Sequence, residues 1–129
     1  WHCVGDEDDL PNKPGARFHV NVGGRYVSVI RSKADRSKLY CIDSICYHMG
    51  GPLTVGDIED VAGHECIVCP WHHYAVTLED GAKLYQSMVM QSGKMCPGEW
   101  KANHNQQRTH QVEIRVRLVS NVLHVDTGF

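Results

Sequence analysis

No window of this chain approaches the ~20 consecutive apolar residues that a membrane-spanning helix needs, and none keeps a sustained helical period. Neither a bilayer span nor a helical bundle is therefore expected. Charge of one sign is missing too: 13 Lys plus Arg stand against 15 Asp plus Glu, a formal net charge of -2. That balance supplies no long-range field for phosphate backbones or anionic membranes, so nucleic acid is not an expected partner. The first residues, Trp1-His2-Cys3-Val4-Gly5, lack the basic and apolar regions of a signal peptide, although a chain starting on Trp rather than Met could have lost a processed leader. No internal repeat is evident. The expectation is a protein without a membrane span, placed in the cytoplasm. At 129 residues it has the length of one domain, with no room for a second catalytic domain of ordinary size.

What the chain does have is six cysteines and nine histidines. A chain of this size can bury a core without covalent staples and nothing marks it as secreted, so metal binding fits the cysteines better than a disulfide framework. Arg17 to Val22 and Tyr26 to Arg31 are rich in β-branched and aromatic residues and flank Gly23-Gly24, the pattern of a tight β-hairpin. Leu39 to Ile42 reads as a third strand. Val112, Ile114, Val116 and Leu118 alternate with Glu113, Arg115 and Arg117, the period of a strand wet on one face, and Ser120-Asn121 turns the chain into Val122 to Val125. The two ends together suggest one antiparallel base. Residues 88–109, with Gly93, Pro97, Gly98 and the amides Asn103, Asn105, Gln106 and Gln107, read as a long irregular surface loop.

Two short segments between these ends carry the chemistry. Cys46-Tyr47-His48 and Cys69-Pro70-Trp71-His72 each offer one thiolate and one imidazole. Two Cys–His pairs can close a single site. Thiolates bind iron–sulfur clusters and zinc alike, and imidazole suits both, so the donors alone do not choose between them.

The neighbours of these donors narrow the choice. Cys-x-His followed by Gly50-Gly51-Pro52-Leu53, then Cys-x-x-His enclosing Pro70-Trp71, resembles the Rieske family. The stretch from Cys46 to Leu84 is similar to the soluble eukaryotic Rieske domain-containing proteins and Rieske-type ferredoxins. The resemblance implies an all-β fold, with three antiparallel sheets and a small cluster-binding subdomain inserted into a β base. On this sequence the lobe would cover 44–85, and residues 1–43 and 86–129 the base. It also implies one [2Fe–2S] cluster, with one iron on Cys46 and Cys69 and the other on His48 and His72. Gly50, Gly51, Pro52, Trp71 and Tyr74 would form the surroundings, the glycines allowing amide N–H groups close to the sulfides.

Two departures bear on the redox chemistry. High-potential members carry a cysteine in each loop, joined as a disulfide, where this chain has Gly51 and Trp71. A serine that donates to a bridging sulfide in those proteins is replaced by Tyr74. Fewer donors leave the reduced cluster less stabilised, which implies a potential at the low end of the Rieske span. His73 follows a ligand position directly, and ordinary surface placement is the expectation for it.

The remaining candidates read as structural. Cys66 and Cys41 are expected in the core, despite the Cys-x-x-Cys spacing of Cys66 and Cys69. Cys3 and Cys96 lie in irregular segments. His2, His19, His64, His104, His110 and His124 have no spaced partner and are assigned to surface or ordinary polar contacts. The acidic run Asp6-Glu7-Asp8-Asp9 reads as a solvated terminus. The functional expectation is a one-electron carrier between a reductase and an acceptor enzyme, itself not an enzyme, with proton coupling at the ligand histidines. A component of an oxygenase system and a structural Cys₂His₂ zinc protein are the competing readings.

Overall fold

The computed structural model describes residues 2–6, 9–35, 37–47, 50–71, 73–104, 106–116 and 121–126. Among the described residues, the regular secondary structure is almost wholly β-strand. A six-stranded antiparallel sheet contains β1 (His2–Asp6), β2 (Arg17–Val22), β3 (Arg25–Arg31), β4 (Leu39–Asp43), β10 (Thr109–Val116) and β11 (Asn121–Asp126). Its order is β1-β11-β10-β4-β3-β2. A second sheet runs in sequence order through β5 (Ile58–Val61), β6 (His64–Val68), β7 (Ala75–Thr77), β8 (Lys83–Gln91) and β9 (Lys94–Asn103). Three antiparallel sheets were expected; the strands form two, the six-stranded one consisting of two parts, β1-β11-β10 and β10-β4-β3-β2. These parts meet at β10, which pairs with β4 through Thr109 and His110 and with β11 through Gln111 to Val116.

The expected hairpin forms with Val22 opposite Arg25. Gly23 and Gly24 both have positive φ, 59° and 84°, the conformation a two-residue turn demands between right-twisted strands. Along β3 the side chains alternate between two cores. Val27 and Val29 join Leu10, Val22, Cys41, Leu123 and Val125 inside the six-stranded sheet. Ile30 and, on β4, Ile42 face the other way and pack with Leu53, Ile58, Ile67, Val76 and Leu78 of the second sheet and its loops. The region between the sheets is therefore a core of its own. The antiparallel pairing expected between the chain ends is present, but β1, which pairs with β11 across a bulge between Cys3 and Gly5, has no strand signature in the sequence. Leu118 and Ser120 lie outside the described residues.

Residues 88–109 are not an irregular loop. They hold most of a long β8–β9 hairpin, in which Gln91 pairs with Lys94 across Ser92 and Gly93, both at positive φ. Most of its side chains are exposed on both faces, so the alternation that reveals a half-buried strand is absent. Pro97 and Gly98 are tolerated because β9 is the sheet edge and the register shifts between Gln86 and Met88. As a result, residues up to Asn103 belong to the second sheet. Among the described residues no helix is long and apolar enough to cross a membrane.

Candidate metal centre

The two donor segments sit in loops that leave the sheets at neighbouring places. The first follows β4 and runs to a short 3₁₀ turn, Leu53–Val55; the second joins β6 to β7. Their backbones fold in the same way. Cys46 N–H donates to the Gly51 carbonyl at 2.7 Å, and Gly50 N–H returns to the Cys46 carbonyl at 3.0 Å. Cys69 N–H donates to the Tyr74 carbonyl at 2.9 Å, and His73 N–H returns to the Cys69 carbonyl at 2.8 Å. Each cysteine thus closes a turn to residues four and five positions on, and the fourth residue has positive φ in both, 71° at Gly50 and 56° at His73.

Both cysteines are buried, Cys46 at 3% and Cys69 at 1% exposure, and both belong to the core between the sheets. Neither is in a disulfide. Tyr47 and Tyr74 pack against the same core. Burial pushes the Tyr47 phenol above its ordinary range, reinforced by the Cys46 and Tyr74 groups. The loops also touch each other: a Cβ placed on Gly51 would lie 3.0 Å from Trp71 Cδ2, so the indole covers the glycine. Gly56 is closed in more tightly, because a Cβ there would meet the Val68 carbonyl oxygen at 1.8 Å. This is the point where the end of the first loop lies against the strand that leads to Cys69. Pro52 precedes the 3₁₀ turn and is half-buried. Tyr74 lies under Lys83, whose Nζ is 3.8 Å from the ring centroid.

Long-range polar contacts hold the first loop to the six-stranded sheet. Arg17, on β2, donates from its guanidinium to the Thr54 carbonyl at 2.8 Å and to the Gly56 carbonyl. Burial lowers the Arg17 pKa, partly offset by Asp57. Ser28, fully buried on β3, shares hydrogen bonds with Thr54 Oγ1 at 2.7 Å, Ser44 Oγ at 2.6 Å and His19 Nδ1 at 2.6 Å. Sequence reasoning missed these residues, since a serine or arginine in a strand carries no sign of what it will reach across the fold.

Of the four expected ligands, the structure brings Cys46 and Cys69 into one core; His48 and His72 lie outside the described residues. Among the described residues no His, Cys, Asp or Glu side chains form a group of three or more suited to a metal. Cys41 and Cys66 are core residues, as expected. His110 and His124 are buried, and His110 makes an ordinary polar contact of the kind expected, its Nε2 lying 2.7 Å from Asp43 Oδ1.

A sequence profile of the soluble Rieske-type ferredoxins matches residues 2–124. The chain belongs to that family. This Rieske-type ferredoxin is 42% identical over 112 residues to a human Rieske domain-containing protein, covering 87% of this chain and 68% of the relative. It is 35% identical over 74 residues to the oxygenase component of 3-ketosteroid-9-alpha-monooxygenase from Rhodococcus rhodochrous, covering 57% of this chain and only 18% of that protein. Among solved structures, the ferredoxin of carbazole 1,9a-dioxygenase from Nocardioides aromaticivorans superposes with a TM-score of 0.60 at 23% identity, over 95% of this chain and 93% of that one. The last likeness carries the fold, and the family assignment makes the chain an electron-transfer protein of Rieske type.

Proposed function

We propose that this ferredoxin holds one [2Fe–2S] cluster through Cys46, His48, Cys69 and His72 and carries single electrons from a reductase to an acceptor enzyme. The observation that carries the proposal is the matched pair of cysteine turns, each presenting a buried thiol that is in no disulfide to the same core. Two such thiols suit one iron of a Rieske centre, and the adjoining His48 and His72 supply the imidazoles its other iron needs. A bound cluster of this kind takes up and returns one electron at a time. The protein's own part is to keep the loops in place and exclude water. Leu53, Ile58, Ile67, Val76 and Leu78 pack around the cysteines, while Arg17 and the Ser28–Thr54 pair hold the first loop to the sheet.

A carrier role is supported by the ferredoxin named for carbazole 1,9a-dioxygenase and by the oxygenase component that shares this domain. The test is direct. The purified protein should be red-brown, contain about two irons and two acid-labile sulfides per chain, and give a reduced EPR spectrum of mixed His/Cys ligation. Cys69→Ser and His72→Ala should abolish that spectrum. A colourless protein containing one zinc would overturn the proposal.

A further inference from the structure

The amide run Asn103 to Gln107 ends on a residue that behaves unlike its neighbours. Gln107 is buried, at 3% exposure, although it follows an exposed polar stretch. Its carboxamide reaches across 60 to 64 residues of sequence to the first cysteine loop. Nε2 donates to the Asp43 carbonyl at 2.9 Å and to the Ile45 carbonyl at 2.7 Å, and Oε1 accepts from Tyr47 N–H at 2.7 Å. Two acceptors and one donor on the backbone fix which end of the carboxamide is oxygen and which is nitrogen.

These three groups alternate along one side of the segment that continues β4, as the hydrogen-bonding edge of a strand does. β4 ends at Asp43, and from there the Gln107 side chain takes the place of a neighbouring strand. Cys46 stands between Ile45 and Tyr47, inside the span the carboxamide grips. The other backbone groups here are held as well: Asp43 N–H by the Arg108 carbonyl at 3.0 Å, and Ser44 N–H by the Tyr26 carbonyl at 3.0 Å. Gln107 is itself anchored, since its N–H donates to the Gly81 carbonyl at 3.0 Å in the turn between β7 and β8, just beyond the second cysteine loop.

We propose that Gln107 is a positioning residue for the metal centre. By fixing the backbone on both sides of Cys46, and by tying that backbone to the turn after the second loop, it sets the separation of the two cysteine turns and hence the redox properties of the bound group. The inference rests on the [2Fe–2S] reading above. Glutamine suits the task because it donates twice and accepts once from a single planar group. Glutamate at this position would keep the acceptor for Tyr47 and turn repulsive oxygen toward the Asp43 and Ile45 carbonyls.

The experiment compares cluster-loaded wild type with Gln107→Glu, Gln107→Ala and the control Gln106→Ala. Each is followed by reduced-state EPR, redox titration, and the rate of visible bleaching in excess chelator. Gln107→Glu should keep the wild-type far-UV circular dichroism while displacing the EPR spectrum and the midpoint, and should bleach about tenfold faster, the scale expected of a support to a metal ligand. Gln106→Ala should match wild type in all three. Unchanged EPR, midpoint and bleaching in Gln107→Glu, with the cluster present, overturn this inference and leave the function standing. A wild type without iron and sulfide overturns both. If neither Gln107 variant folds, hydrogen exchange on the wild-type protein decides: the Tyr47 amide should be protected, and exchange as fast as in an open loop would overturn the assignment.

Discussion

His73 adopts φ of 56° at the turn position that Gly50 occupies in the other loop. The left-handed conformation is unfavourable for a residue with a Cβ and free of that penalty for glycine. His73→Gly should therefore stabilise the folded protein by about 0.5–1 kcal/mol, a gain reduced by the greater freedom of an unfolded glycine chain. Chemical denaturation of the cluster-loaded protein measures it, and a loss of stability would show that the imidazole makes a contact worth more than the strain. Cys41 and Cys66 supply a second residue-scale prediction. Burial raises both thiols from 9.0 to about 12, so both stay protonated and inert at neutral pH. An alkylating agent should modify exposed Cys3 in the native protein well before either, as peptide mapping would reveal. Because the folded values lie above the unfolded one, the contribution of these thiols to stability is complete below about pH 9 and declines as pH rises toward 12.

Among elements, the 3₁₀ turn Leu53–Val55 and the end of β6 are the parts whose separation matters most. Gly56 lets them meet, since any Cβ there would overlap the Val68 carbonyl oxygen. Gly56→Ala should cost about 1–3 kcal/mol through forced displacement of that backbone, and should loosen the cysteine loops more than the distant β2–β3 hairpin. Hydrogen exchange resolved by segment distinguishes this local effect from general destabilisation. Arg17 works on the same turn from the other side by holding the Thr54 and Gly56 carbonyls. Replacing it with methionine removes two charge-assisted hydrogen bonds from carbonyls of the buried residues Thr54 and Gly56 and should cost about 1.5–3 kcal/mol. Denaturation midpoints of Arg17→Met and Arg17→Lys would separate the loss of charge from the loss of geometry.

For the whole molecule, the redox potential is the property that summarises the site. The positions that carry bridging cysteines in high-potential Rieske proteins hold Gly51 and Trp71, which face each other here as glycine against indole. Tyr74 occupies the serine position, with its ring packed against the core and covered by Lys83. On the proposed [2Fe–2S] reading, with neither the disulfide nor the serine hydroxyl, the added electron should be less stabilised and the midpoint should lie at roughly −150 mV rather than +300 mV. Redox titration checks this, and a value well above zero would contradict it. The placement of the cysteines between two sheets has a further consequence. Ile30 and Ile42 of one sheet share a core with Ile58, Ile67 and Val76 of the other, so the packing that joins the sheets also encloses the thiols.

The two cysteine turns stand out in the linear chain because Cys-x-His and Cys-x-x-His, with their glycine and Pro-Trp neighbours, propose a donor set at short spacing. The β2–β3 hairpin and β10 were legible because a Gly-Gly turn, or an alternation of apolar and polar residues, leaves a trace in the sequence. The β8–β9 hairpin left no such trace, since solvent covers both of its faces and its edge position tolerates Pro97. Nor could the chain announce that Gln107, Arg17 and Ser28 serve the first loop, because an amide, a guanidinium and a hydroxyl are equally at home in water. Local spacing singles out the atoms proposed to bind a metal. Only the closing of distant strands decided which polar side chains hold those atoms in place, because that depends on contacts between residues that have no relation along the sequence.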